Sequence, residues 1–217
     1  MKPARRLRWP LGVVDIVYAR RGEVAKRCAA AASDGFEHID VLLGTDPAAC
    51  SLPIGCPTAY PRPADTWCAT PAPAAGEGMW DEAVRWWRAA PSALLEPWAG
   101  SVVASAEAIA AFRDAVPGVR LLIDTGHVAD WGGDPCELLH LADHVQLRQG
   151  CPGRTQLHVD DPAGVVDFDA VFARLDALGY RGRCSVEYFD LPALGWGLED
   201  PEGWARDLAA SLREERA

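Results

Sequence analysis

The chain is expected to fold as a compact (β/α)8 TIM barrel in which some helices of the first half are shortened or missing. Three observations predict it. Short β-rich apolar runs recur, and each ends in an oxygen or nitrogen donor: Ser92 to Glu96, Leu121 to Asp124, His144 to Arg148 and Arg183 to Glu187. Helix-period patterns separate these runs, and alternating strands and helices imply a parallel sheet. Within the runs, Leu94 and Glu96, Leu122 and Asp124, and His144, Gln146 and Arg148 share one face, while Ala93 and Leu95, or Val145 and Leu147, share the other. A polar inner stripe and an apolar outer one suit a closed barrel covered by helices, with functional groups at the C-terminal strand ends. No GxGxxG follows the first strand, which argues against an open dinucleotide-binding sheet.

The elements follow in order. Val13 to Tyr18 reads as a first strand, and Glu23 to Ser33 as an Ala-rich helix stopped near Gly35. Phe36 to Leu43 reads as a second strand. Residues 44–75 are rich in Pro and Gly without helical periodicity, so this is the trimmed section, with Ile54 to Thr58 and Thr66 to Thr70 as short strands. Trp80, Ala83, Val84 and Trp87 then mark one face of a helix, and Ile109, Phe112 and Val116 mark another, ended by Pro117-Gly118. Asp134-Pro135 supplies a cap and a first-turn proline ahead of Leu138 and Leu139. Asp167 caps a helix bearing Phe168, Val171, Phe172, Leu175 and Leu178, closed by Gly179. Asp200-Pro201 opens a last helix with Trp204, Leu208 and Leu212 on one face. The second half thus reads as strand–helix repeated four times with short loops.

Composition narrows the function. A length of 217 residues with 49% hydrophobic and 24% charged residues suits one globular domain spanning 1–217. A net charge of −10 argues against nucleic acid or an anionic membrane surface as partner. Arg5-Arg6-Leu7-Arg8 precedes an apolar stretch from Trp9 to Tyr18, but Asp15 interrupts it and no small-residue cleavage site follows, so no signal peptide is expected. Seven cysteines without a CxxC pair suit reduced thiols in a cytoplasmic protein, with Cys184 packing in a core strand. His38, His140 and His158 have no motif context and are expected at the surface, and Arg62 is expected to be solvated. Trp80, Trp86 and Trp87 are expected to pack helix on barrel. Trp98 and Trp131, which follow the donor-ending runs, are candidates for a pocket wall.

Leu-Leu-Glu96-Pro, Ile-Asp124-Thr-Gly-His127 and Ser-Val-Glu187-Tyr resemble the fifth, sixth and eighth strand motifs of the xylose isomerase-like TIM barrels, in particular the sugar phosphate isomerase/epimerase group. Val166-Asp167-Phe168 through Gly179-Tyr180-Arg181-Gly182 resembles that family's last linking helix and its GY-x-G turn. The resemblance implies a divalent ion held by Glu96, Asp124 and Glu187. The fourth ligand, ordinarily the second His of an HxH pair, falls on Gln146, with His144 as the first of the pair. Arg148 and Gln149 stand where lysine and an acidic residue often follow. An all-oxygen set implies Mn2+ or Mg2+ in preference to Zn2+.

What the resemblance implies chemically is a metal-dependent isomerase or epimerase acting on a sugar or related polyhydroxylated keto compound through an enediolate. Glu96 and Glu187 would face each other as base and acid, and His127 would donate to a substrate oxygen. Arg148 and Arg154 would grip a phosphate or carboxylate, with His144 and Trp98 also on the substrate. A small-molecule substrate is the expected partner, and a homodimer is left open. Other readings stand beside these. Glu96 before Pro97 reads also as a loop cap, Asp124 as an N-cap with His127 exposed, and His144 as a structural strand-end histidine. The same barrel could carry a dehydratase or lyase, or bind a small molecule without catalysis through a decayed metal site. A phosphodiester-cleaving barrel would need more than five histidines and a basic groove.

Overall fold

The computed structural model describes residues 7–213, so Arg5 and Arg6 lie outside the described residues. The chain order is β1 (Leu11–Val14), α1 (Val24–Ser33), β2 (Ile39–Asp40), β3 (Cys68–Pro71), α2 (Met79–Ala89), β4 (Ala93–Glu96), α3 (Ala106–Ala115), β5 (Arg120–Asp124), α4 (Thr125–Asp130), α5 (Pro135–Leu138), β6 (Ala142–Leu147), β7 (Gln149–Cys151), β8 (Arg154–Leu157), α6 (Phe168–Ala177), β9 (Cys184–Val186) and α7 (Pro201–Arg213). Seven strands form one parallel sheet in the order β2-β1-β9-β6-β5-β4-β3. The two edges meet through the segment 54–58. Leu42 bridges Thr58, and Thr58 bridges Ala69, both in parallel. The amide of Thr58 donates to the Val41 carbonyl, and that of Ala69 to the Pro57 carbonyl. This segment is the eighth stave, so the sheet closes into the expected barrel, and no α-helix separates 54–58 from either neighbour, only a 3-10 turn at Pro47–Ala49 on the β2 side.

Helix boundaries follow local hydrogen bonding. Ser105 caps α3 through Oγ, which accepts from the Ala108 amide at 3.1 Å. The carboxylates of Asp134, Asp167 and Asp200 accept from the amides of Cys136, Asp169 and Gly203 at 2.8, 2.9 and 2.8 Å, as their positions in sequence predict. Trp87 is fully buried, and both Trp80 and Trp87 meet Phe112 of α3 edge-on, so these tryptophans pack α2 against its neighbour.

The core has two parts. Outward residues such as Val13, Leu95, Ile123, Val145 and Val186 join the helices in one large apolar cluster. Inside the barrel, Cys56, Ala69, Leu94 and Leu122 form a small apolar cluster. Across from it the interior is polar, with His38, Asp40, His144 and Ser185 each no more than 1% exposed.

Three expectations need correction. The first strand ends at Val14 rather than Tyr18, and a 3-10 turn spans Asp15–Arg21. Asp15 pairs with Arg27 of α1 at 2.8 Å, while Val17 and Tyr18 are buried, and an apolar run without alternation does not distinguish strand from turn. His38 is buried rather than at the surface, because it alternates with Asp40 on the inward side of β2 and its neighbouring stave residues. In the second half, strand and helix do not simply alternate. An antiparallel hairpin, β7–β8, stands between β6 and α6.

Candidate active site

Each strand on one side of the barrel delivers a polar group to the C-terminal mouth. Glu96 ends β4, Asp124 ends β5, Gln146 lies near the end of β6 with Arg148 just beyond, and Glu187 follows β9. All five are buried, and Arg148 is wholly so. Register explains the convergence: Asp124 is opposite Gln146, and Gln146 is opposite Ser185, two residues before Glu187.

The guanidinium of Arg148 is central. Its Nη2 donates to Asp124 Oδ2 at 2.9 Å and lies 3.2 Å from Glu187 Oε2. Its Cζ lies 4.5 Å from the ring centroid of Phe189, so the planar cation stacks on an aromatic face. The backbone of Arg148 is held on both sides by Thr125, whose Oγ1 accepts from the Arg148 amide at 2.9 Å and donates to its carbonyl at 2.8 Å. Asp124 is also the N-cap of α4, with Oδ1 accepting from the His127 amide at 2.9 Å. Asp124 therefore caps α4 while also meeting Arg148, and His127 is buried rather than exposed.

Turning inward from α4, His127 places Nε2 3.8 Å from Glu96 Oε1 and Nδ1 2.8 Å from Thr155 Oγ1. Donor atoms of Glu96, His127 and Glu187 all lie within 4.8 Å of one another, an arrangement that could hold a metal ion. The buried Oε1 of Gln146 and Oε2 of Glu187 have no hydrogen-bond partner. With Glu96 and Glu187 ionised, three carboxylates would face one guanidinium, so a divalent cation would bring the cluster to neutrality, and the orphaned oxygens would gain a partner. On both grounds the residues fit a divalent ion.

Burial drives the electrostatics. It pushes the Glu96 carboxyl up to about 8, with repulsion from Asp124 adding to it. Burial also pushes Glu187 well above the ordinary carboxylate range, against the pull of Arg148. For Asp124 burial is again the largest influence and acts upward, but Arg148, His127 and the His127 amide together hold it below its usual value. Burial, aided by the Arg148 charge, lowers His127 to about 3, so its imidazole is neutral.

The remaining residues singled out from sequence are placed as follows. His144 lies one layer below Gln146, with Nε2 2.8 Å from Asp40 Oδ2 and 3.2 Å from Ser185 Oγ. Trp98 stands half-buried at the rim, its Nε1 donating to the Ala72 carbonyl at 2.6 Å. Trp131 packs half-buried against the core. Arg154 is a correction. Its neighbour Thr155 faces His127, so strand alternation turns Arg154 outward, where it is exposed and 4.0 Å from Asp161. Arg148 is engaged through Nη2 by Asp124 and Glu187, while its buried Nε and Nη1 have no hydrogen-bond partner.

Several residues escaped sequence reasoning. Trp196 covers the site, with its ring 5.9 Å from His127, 5.9 Å from Trp98 and 5.3 Å from Phe189. A large aromatic between Gly195 and Gly197, shortly after Glu187, was the available signal. Thr155 and Gln156 come from the hairpin, and Gln156 Nε2 ties it to the Phe189 carbonyl at 2.9 Å. His38, Asp40 and Ser185 form the polar layer beneath.

The family model for xylose isomerase-like TIM barrels matches residues 68–215. Among solved structures, an L-ribulose 3-epimerase superposes with a TM-score of 0.66 at 16% identity, covering 93% of this chain and 92% of that one. A 3-keto-D-glucoside 4-epimerase from E. coli gives 0.65 at 14% identity, covering 95% and 99%. The IolI protein with a binding zinc atom gives 0.64 at 13% identity, covering 94% and 97%. At these identities the likeness is one of fold. No curated protein matches the chain in sequence. Among the described residues, no helix is long and apolar enough to cross a membrane. With its strands closed into a barrel and two thirds of its length matched, the chain belongs to the xylose isomerase-like TIM barrel family.

Proposed function

We propose that the chain is a divalent-metal-dependent isomerase or epimerase acting on a sugar or a related polyhydroxylated keto compound. The observation that carries this reading is the buried pair Glu96 and Glu187, brought with His127 to one point at the barrel mouth. Burial raises both carboxyls above the ordinary carboxylate range, Glu96 to about 8, where a group can take and return a proton.

Glu96, His127 and Glu187 would hold the ion, with Gln146 Oε1 as a fourth donor. Asp124 belongs to the set implied by resemblance, but it is committed to Arg148 and to capping α4, and so acts from behind it. Oxygen donors outnumber the single imidazole, which favours Mn2+ or Mg2+ over Zn2+. A bound divalent ion would acidify the C–H beside a chelated carbonyl and steady the charge that develops on its oxygen.

The protein's own residues do the rest. One of the two glutamates removes the proton from carbon, leaving the electron pair in an enediolate, and the other returns a proton to the same or the adjacent carbon. His127 Nδ1 meets Thr155 Oγ1 at 2.8 Å; with Thr155 as the acceptor of that proton, the Nε2 lone pair would be free for the ion. Trp196 and the hairpin keep water from the intermediate.

Exchange of substrate hydrogen with deuterated solvent tests this. Label should enter at the carbon beside the carbonyl, and Glu96→Gln and Glu187→Gln should each slow turnover about a thousandfold with the melting transition retained. Turnover without label would show a hydride shift, and loss of a substituent with the label would show a lyase.

A further inference from the structure

The two carboxylates beside Arg148 are held unequally. Nη2 donates to Asp124 Oδ2 at 2.9 Å. It also lies 3.2 Å from Glu187 Oε2, but that oxygen receives no hydrogen bond, and neither Nε nor Nη1 of Arg148 has a partner. Glu187 therefore feels the charge of Arg148 without a directed bond, whereas Asp124 has both, and a charge-assisted hydrogen bond is the firmer hold. Glu187 is also the freer of the two. Its side chain is 11% exposed and stands just beyond the end of β9, while that of Asp124 is fully enclosed and tied to the His127 amide.

The guanidinium cannot withdraw to solvent. It is wholly buried and stacks on Phe189, and Thr125 fixes its backbone on both sides. An added Cβ on Gly126 would come within 2.9 Å of Nε, so α4 packs closely against it as well. Glu187 is at the same time one of the three side chains whose donor atoms converge where an ion could sit. A divalent ion and the guanidinium thus call on the same carboxylate at short range, and like charges repel strongly in a poorly solvated interior.

We propose that Arg148 sets the affinity of the ion site by competing for Glu187: an ion binds by drawing Glu187 off the guanidinium, which Asp124 retains. This rests on the metal-dependent reading and adds a control on that site. Asp124 holds the competitor back from Glu187, so losing Asp124 weakens ion binding although Asp124 is not itself a ligand. The test is calorimetric titration of Mn2+ into the full chain, freed of metal by chelator and without substrate, for wild type, Asp124→Asn and the double variant Asp124→Asn with Arg148→Met. Asparagine can still cap α4, and the double variant removes both charges of the buried pair, so no ion is left unpaired. Asp124→Asn should bind Mn2+ about tenfold more weakly than wild type, and the double variant at least about tenfold more tightly than Asp124→Asn. A double variant no tighter than Asp124→Asn, with wild type binding, overturns the proposal and leaves the metal-dependent reading standing. Binding by the double variant but not by wild type supports the proposal and removes that reading for the native chain. No binding by any of the three overturns both. A second measurement needs only the wild-type fold. In protein carrying isotope-labelled arginine, the Nε–H resonance of Arg148, assigned by its loss in Arg148→Lys, should shift as Mg2+ is added and saturate at one equivalent. A resonance unmoved at saturating Mg2+ overturns the proposal.

Discussion

Arg148 and Asp124 form a 2.9 Å ion pair in which neither side chain is exposed to solvent. A charge pair so deep is maintained by its geometry, since each partner alone would face the cost of burying an unpaired ion. Here Asp124 has a second task, capping α4 and thereby setting His127. The pair links strand ends, helix start and site.

Arg148→Leu should therefore cost about 3–5 kcal/mol of folding stability in metal-free protein, as expected for a broken buried pair. Arg148→Lys should cost less, because it keeps the charge but loses the fork and the stack on Phe189. Added Mn2+ should recover part of the loss in the leucine variant. Urea unfolding with chelator and with Mn2+ measures each effect, and a leucine variant as stable as wild type would contradict the structural role.

Stability of the metal-free chain should fall as pH rises from about 5 to 8. The unfolded Glu96 carboxyl titrates near 4.5 and the folded one near 8, so across this window the native state holds a proton the unfolded chain has released. The slope from this one group reaches at most roughly 1.4 kcal/mol per pH unit. Asp124 acts oppositely. Its folded value lies below 3.8, so its contribution is present above that value and disappears as pH falls through the folded one. Urea midpoints across pH in chelator check this, and Glu96→Gln should reduce the slope between pH 5 and 8.

Gly126 allows close approach at the mouth. An added Cβ would collide with the Thr155 carbonyl and come within 2.9 Å of Arg148 Nε. Gly126→Ala should cost about 1–3 kcal/mol through overpacking. It should also push the hairpin from His127, seen as faster amide exchange across 149–157.

Beneath the site, Asp40, His38, His144 and Ser185 bond to one another within a polar layer. Asp40 accepts from the Cys56 amide at 2.6 Å and meets His144 Nε2 at 2.8 Å. Asp40→Ala should cost about 3 kcal/mol, from hydrogen bonds to a buried charged group. Divalent ion affinity should change by less than about threefold, since these side chains do not reach the ion ligands. A large loss of metal affinity without loss of stability would place Asp40 in the site instead.

Much of this was legible in the sequence because it is local. Donors at the ends of apolar runs marked Glu96, Asp124 and Glu187, and Asp-Pro pairs and Asp167 marked helix starts through hydrogen bonds two or three residues long. The inward alternation of His144, Gln146 and Arg148 was equally plain. The fate of Arg148 was not, because its burial depends on Asp124 and Glu187 from the two strands that flank β6, both distant in sequence. His38 was missed although Ile39 separates it from Asp40 in the pattern of an inward polar face. The hairpin was missed because Gln149-Gly150-Cys151 carries no strand propensity of its own. Its pairing is enforced by the register of Gln149 with Leu157 and by Tyr188, whose hydroxyl donates to the Leu157 carbonyl at 2.9 Å.

We propose that the mouth holds one divalent ion on Glu96, His127 and Glu187, with Gln146 as a further donor. Calorimetric titration of Mn2+ into the metal-free chain, without substrate, tests it most directly. A single site is expected in wild type, weakened at least about a hundredfold by Glu187→Gln and about tenfold by Gln146→Leu. Absence of Mn2+ or Mg2+ binding at millimolar concentration, or an affinity indifferent to Glu187→Gln, would contradict it and leave Arg148 as the cation around which this site is built.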